Sequence, residues 1–320
     1  PDQDEGKTMR DIAAIDVGGT AIKMGLVSNE GAILSKETMP YDSRKSFEDL
    51  VESLCGSIRS LVSSPEADLV AVGISTPGFA EPGTGILVDG ANNVPVLQGH
   101  SLPGALSGRF RLPVFIDNDG TCAATGELLF GAGRNFRNFV LITLGTGIGG
   151  GVVIDRQPVT GQDGRPPEIG AICLDPDGPV NYSGVPGSFE RLACASGFME
   201  LYRKFGGRGG EGMTPQDIFE RAGEGDRAAE SAVDREGRYI AQAFGIMINL
   251  LNLEACIIGG GISAAGQPLL DAVRKHLPSF TWARLYHHTR VVLAQHGNEA
   301  AIIGAAAMAR QRLESKKPSK

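Results

Sequence analysis

The sequence has no apolar run approaching the ~20 residues of a membrane-spanning helix, no surplus of positive charge and no paired-cysteine spacing. Its formal net charge of -7 argues against a general electrostatic affinity for nucleic acid. The five cysteines, Cys55, Cys122, Cys173, Cys194 and Cys256, are odd in number and widely spaced. They suit reduced thiols in a cytoplasmic protein rather than a disulfide framework. The five histidines make no H-E-x-x-H or other zinc spacing. No G-x-x-x-x-G-K-S/T occurs, which excludes a P-loop. Aromatic residues are scarce, and the one tryptophan, Trp282, reads as packing. Residues 1–10 are polar without a signal-peptide core and read as a short disordered lead. Lys316, Lys317 and Lys320 read as a solvated tail.

What the chain has is glycine, 45 residues of it, clustered at the ends of apolar segments. Its 320 residues suit one large domain or two of ordinary size and bury a core without disulfide or metal support. Asp11 to Ile15 reads as a strand running into Asp16-Val17-Gly18-Gly19-Thr20, with further strands over 21–27 and 32–39. A strand–glycine turn–strand lets backbone N–H groups approach an anion closely, because no Cβ intervenes; Gly-Gly is also an ordinary hairpin pair. Asp16 at the mouth of this turn is placed to hold a metal-bound water. Residues 46–63 carry a one-face apolar helical pattern, with Ser46 and Asp49 as a capping box. A buried strand over 69–75 leads to Thr76-Pro77-Gly78, and a helix is expected over 102–110.

The strand 114–116 then runs into Asp117-Asn118-Asp119-Gly120, followed by a helix over 121–130. Acidic groups at a strand's carboxyl end lie where open α/β sheets bind ligands; Asp117 or Asp119 would equally serve as a helix N-cap. Beyond it, the strand 139–144 ends in Gly145-Thr146-Gly147-Ile148-Gly149-Gly150-Gly151. Read literally this satisfies G-x-G-x-x-G, but a dinucleotide site needs a helix next, and Val152 to Asp155 reads as strand. The turn instead repeats the one at Asp16–Thr20. Two related lobes are therefore expected, each offering backbone amides to a phosphate. A third glycine turn, Gly259-Gly260-Gly261, follows a long helix (226–250) and a strand (255–258), and a last helix is expected over 300–312.

In this order, Asp16-Val-Gly-Gly-Thr-Ala-Ile-Lys23, Ile116-Asp-Asn-Asp-Gly, Leu144-Gly-Thr-Gly-Ile-Gly-Gly-Gly, Glu168-Ile-Gly, Ala195-Ser-Gly, Ile258-Gly-Gly-Gly and Ile303-Gly-Ala-Ala resemble the ROK family (repressor, open reading frame, kinase) across nearly the whole chain. The resemblance implies an α/β, two-lobed actin-like ATPase (ribonuclease H-like) fold with a duplicated β-β-β-α-β-α core. The small lobe would take residues 11–120 and about 305–320, and the large lobe 121–304. It implies an ATP-dependent kinase for a hexose-type sugar such as glucose or N-acetylmannosamine, acting at the 6-hydroxyl with Mg²⁺. Asp119 would be the general base. Gly78, Asn93, Asn118, Glu168 and Glu190 would bind the sugar. Asp16, Gly18, Gly19, Thr20, Lys23, Thr146, Gly147, Gly260 and Gly261 would face the nucleotide, with Asp16 towards Mg²⁺. A cytoplasmic homodimer is implied too.

The chain departs from the family's pattern at its zinc site. Where three cysteines are usual stand Asn181, Ser183 and Ser188, and the usual histidine is Ala171. Neutral Asn, Ser and Ala do not replace thiolate and imidazole at a tetrahedral zinc, so no structural zinc is expected. Pro167 stands in place of a glycine before Glu168. The alternative reading is a catalytically silent sugar-binding or regulatory protein. Only fifteen residues precede Asp16, too few for a helix-turn-helix, so no nucleic-acid partner is expected.

Overall fold

The computed structural model describes residues 10–62, 68–210 and 212–315. The expected disordered lead (except Arg10), Ser63 at the expected end of the first helix, and the lysine tail from 316 onwards lie outside the described residues. In chain order the strands are β1 (Asp11–Val17), β2 (Ala21–Val27), β3 (Ile33–Pro40), β4 (Leu69–Thr76), β5 (Phe79–Ala80), β6 (Leu87–Asp89), β7 (Val114–Asn118), β8 (Phe139–Leu144), β9 (Ile148–Ile154), β10 (Gln157–Pro158), β11 (Ala255–Gly259) and β12 (Arg290–Leu293). The α-helices are α1 (Phe47–Leu61), α2 (Leu102–Phe110), α3 (Asp119–Phe130), α4 (Phe189–Ala193), α5 (Ala195–Lys204), α6 (Pro215–Gly223), α7 (Arg227–Leu251), α8 (Gln267–His276), α9 (Ala283–Tyr286) and α10 (Ala300–Ser315). They divide into two compact units, one of Pro1–Phe130, Thr160–Pro166 and Glu299–Lys320, the other of Gly131–Val159 and Pro167–Asn298.

The first unit is built on a sheet of order β3-β2-β1-β4-β7. β1 is antiparallel to β2 and parallel to β4, and β4 is parallel to β7. Alternation along β1 sorts its side chains between two layers. Ala13, Ile15 and Val17 join Leu50 and Leu54 of α1 and Leu106 of α2. Ile12 and Ala14 meet Ile302, Ala305 and Ala309 of α10. α1 opens with the expected capping box, Asp49 N–H donating to Ser46 Oγ at 3.2 Å and Ser46 N–H to Asp49 Oδ2 at 3.3 Å. α10 approaches α3 closely: a Cβ on Gly304 would lie 2.0 Å from the carbonyl oxygen of Cys122. That packing keeps α3 in the first unit. The small β5–β6 sheet has strands of two and three residues, too short to carry a legible alternation.

The second unit repeats the strand order as β10-β9-β8-β11-β12, again with two antiparallel and two parallel pairings. Gly149, Gly150 and Gly151 belong to β9, not to the turn before it. The reason is space: a Cβ on Gly150 would lie 2.3 Å from the carbonyl oxygen of Leu141. α7 starts where Asp226 Oδ1 accepts from Ala228 and Ala229 N–H and lays Ile240, Phe244 and Ile248 into the core. Trp282 is not packed as expected; it is 60% exposed, with the Arg284 guanidinium 5.3 Å above its ring. Among the described residues no helix is long and apolar enough to cross a membrane.

Candidate functional site

In the first unit the turn between β1 and β2 is closed by Gly18 N–H donating to Ala21 O at 3.1 Å. Gly19 rests on Asn93, where a Cβ would stand 2.6 Å from Asn93 Cβ. The turn and Asn93, far apart in sequence, are thus brought together. Asp16 sits at the end of β1 opposite Lys23 of β2 and accepts from Ser75 Oγ at 3.1 Å. Burial raises its pKa above the usual carboxylate value, against the lowering effects of Ser75 and Lys23. One carboxylate with a hydroxyl beside it suits Mg²⁺, which keeps most of its waters and takes few protein ligands.

The Asp-Asn-Asp run separates into three roles. Asp117 is ion-paired with Arg312 near the end of α10, while burial raises its pKa and Arg312 and the Asn118 amide lower it. Asn118, rather than either aspartate, caps α3: its Oδ1 accepts from Gly120 N–H at 2.9 Å and Thr121 N–H at 3.3 Å. Its Nδ2 donates to Gly78 O at 3.2 Å. Gly78 has φ +83°, and a Cβ there would strike Asp89 O at 2.2 Å; only glycine fits. Asp119, the first residue of α3, is exposed and accepts from Gly120 N–H at 2.7 Å. Asp117, Asn118, Gly78 and Arg312 line an open cavity of about 860 Å³ in this unit. The Arg312 contact was not anticipated, since nothing local marks a partner so distant in sequence.

In the second unit the turn after β8 is closed by Gly145 N–H donating to Gly147 O at 3.0 Å, leaving Thr146 exposed at its tip. Gly260, with φ +81°, packs on Leu144, where a Cβ would lie 2.4 Å from the carbonyl oxygen. The second and third glycine turns are therefore neighbours. Glu190, on α4, reaches the same turn: its Oε2 accepts from Ile148 N–H at 2.9 Å. A Cβ on Gly147 would stand 2.6 Å from that oxygen. Glu168 is exposed and begins the short 3-10 turn Ile169–Ala171, its carbonyl accepting from Ala171 N–H at 3.1 Å.

The residues in the zinc-ligand positions are tied to protein groups. Asn181 Oδ1 accepts from Ser183 N–H and Oγ–H at 3.0 and 2.6 Å. Ser188 Oγ caps α4, accepting from Arg191 N–H at 3.3 Å. Among the described residues, no group of three or more His, Cys, Asp or Glu is arranged to hold a metal ion.

A repeated β-sheet core with glycine turns on both repeats and an Asp-Asn-Asp helix start narrows the family sharply, and the family model described as the ROK family matches residues 12–312. The chain belongs to the ROK family. Its relatives include the glucokinase of Halalkalibacterium halodurans, 32% identical over 94% of this chain and 95% of that protein. The glucokinase of Thermotoga maritima is 33% identical over 94% of this chain and 98% of its own. The crystal structure of a ROK family glucokinase from Streptomyces griseus, in complex with glucose and AMPPNP, matches with a TM-score of 0.80 at 30% identity. It covers 94% of this chain and 99% of that one. This ROK protein has the actin-like ATPase fold.

Proposed function

We propose that this chain is an ATP-dependent hexose kinase that phosphorylates a sugar of the glucose or N-acetylmannosamine type at its 6-hydroxyl. The observation that carries the reading is the separation of the two acids at the β7–α3 junction. Asp117 is ion-paired with Arg312 on α10, and Asp119 is exposed at the first residue of α3. The glucokinase relatives and the glucose- and AMPPNP-bound neighbour support both substrates.

In this reading Asp119 is the general base. The sugar oxygen forms a bond to the γ-phosphorus as the bond to the β–γ bridging oxygen breaks. The hydroxyl proton passes to the Asp119 carboxylate and ADP departs. Phosphoryl transfer asks the protein mainly for alignment and charge compensation. By the family resemblance, Gly78, Asn93, Asn118, Glu168 and Glu190 would hold the sugar. Gly18, Gly19, Thr20 and Lys23, and Thr146, Gly147, Gly260 and Gly261, would hold the nucleotide. Asp16 would hold a water of a Mg²⁺ ion, which supplies charge neutralisation at the phosphates when bound. The five unpaired cysteines and the family resemblance support a cytoplasmic enzyme; the resemblance alone supports a homodimer, which sedimentation velocity would test. By the resemblance, the small and large lobes correspond to the first and second units.

The test is a coupled ADP-release assay over glucose, mannose, fructose, allose and N-acetylmannosamine. Sugar-dependent release with product phosphorylated at the 6-position is expected. No release above the sugar-free rate with any of them would overturn the reading.

A further inference from the structure

Residues Thr160–Pro166 belong to the first unit, although β10 before them and the Glu168 turn after them belong to the second. They close on themselves as a tight turn. Gly161 N–H donates to Arg165 O at 2.7 Å, and Gly164 N–H donates to Gly161 O at 3.0 Å. Gly164, with φ +85°, rests on Pro82, where a Cβ would stand 2.7 Å from the proline ring. Gly161, Gln162 and Pro166 line the same cavity as Gly78 and Asn118.

Arg165 makes the attachment. Its guanidinium lies 4.5 Å from the centroid of the Phe79 ring, and its Nη1 pairs with Asp89 Oδ2 at 3.3 Å. Its Nε donates to Asp163 Oδ2 at 3.0 Å. Phe79 and Asp89 are register partners in the β5–β6 ladder, so one planar cation holds both members of a cross-strand pair. A two-stranded ribbon this short has little stability of its own. Taken singly, an exposed ion pair or an exposed cation–π contact is weak. Together they supply direction: the Asp163 carboxylate fixes the guanidinium plane, which then presents its face to the ring and its edge to Asp89.

The pair so held is packed against Gly78. A Cβ on Gly78 would stand 2.2 Å from the Asp89 carbonyl oxygen and 2.8 Å from the Gly90 carbonyl carbon. Contacts that close transmit a displacement, so a shift of the β5–β6 pair moves Gly78 with it. The Gly78 carbonyl in turn accepts from Asn118 Nδ2, and Asn118 Oδ1 caps α3.

We propose that Arg165 is a positioning residue for the sugar site: by holding Phe79 and Asp89 together it fixes the Gly78 backbone and, through it, the side chain of Asn118. This rests on the sugar-site part of the kinase reading above, in which Gly78 and Asn118 receive the sugar. The side-chain partners of Arg165 are Phe79, Asp89 and Asp163, none of them assigned to the nucleotide. Its loss therefore acts on sugar affinity and leaves ATP binding alone.

The experiment measures affinity for glucose and N-acetylmannosamine by calorimetry without nucleotide, together with steady-state ADP release and ATP KM. The proteins are the wild type, Arg165→Ala, Arg165→Lys, Phe79→Leu and the double variant of Arg165→Ala with Phe79→Leu. Arg165→Ala is expected to raise Kd and KM for the sugar about fivefold, with kcat and ATP KM within about twofold of the wild type. Arg165→Lys keeps a charge for Asp89 but has no planar face, so it should recover part of the loss. Phe79→Leu removes the same contact from the other side. The double variant should therefore bind sugar within about twofold of the weaker single variant, the mark of two residues acting through one contact. Wild-type sugar affinity in Arg165→Ala, equal losses of sugar and ATP affinity, or fully additive losses in the double variant would each overturn the proposal and leave the kinase reading intact. A wild type that binds sugar without turning it over would overturn the kinase reading alone, since the affinities still decide the role of Arg165. A wild type that binds neither sugar would overturn both.

Discussion

The backbone amide of Ile148 donates to Glu190 Oε2 at 2.9 Å, so the first residue of β9, directly after the second glycine turn, also orients the α4 carboxylate. In the second unit, sugar and phosphate recognition are therefore expected to share one hydrogen bond. Gly147→Ala would test this, since the added methyl would stand 2.6 Å from the same oxygen and force the carboxylate aside. Both the sugar and the ATP KM are expected to rise, by about tenfold for the sugar, with the far-ultraviolet circular dichroism unchanged.

Asp119→Asn keeps the size of the side chain and removes its basicity. A positioned general base contributes about 10²–10⁴-fold, so kcat should fall by that amount while calorimetric ATP affinity stays within about twofold. Turnover at the wild-type rate would remove Asp119 from the mechanism.

Glu236 on α7 is wholly buried, and neither carboxylate oxygen has a hydrogen-bond partner. Burial, reinforced by Cys194, raises its pKa well above the ordinary 4.5. Below that pH both folded and unfolded chains carry the proton. Above it the unfolded chain ionises first and binds fewer protons, so this group makes stability fall as pH rises, until the folded carboxyl itself titrates. Asp16 and Asp117 shift in the same direction, so the readout is a difference. Glu236→Met should melt higher than the wild type at pH 8, with the gap closing towards pH 4.5. A constant gap would refute the assignment.

Gly304 of α10 lies against the Cys122 carbonyl, at the contact that anchors α3 and hence Asp119. Gly304→Ala overpacks this contact and should cost about 1–3 kcal/mol. Urea unfolding is the check; a midpoint equal to the wild type's would show that the helices separate freely.

Much of this was legible from local pattern. β1, β2, α1, α2, β8 and α10 announce themselves by alternation, a capping box or a helical stripe. What stayed hidden depends on distance in sequence. Nothing near Asp117 points to Arg312, 195 residues away. The glycines at 149–151 look like a turn until β8 lies beside them and leaves no room for a side chain at Gly150. Trp282 looks like core because tryptophan usually is, yet here its ring carries Arg284 in solvent.

α10 covers the Ile12–Ala14 face of β1, and this has a consequence during synthesis. The opening strands emerge from the ribosome hundreds of residues before the helix that covers them, leaving an unpaired apolar face throughout elongation. Folding from the amino end, the common order for nascent domains, is closed to this unit. The second unit, whose segments end before α10, is free to settle first.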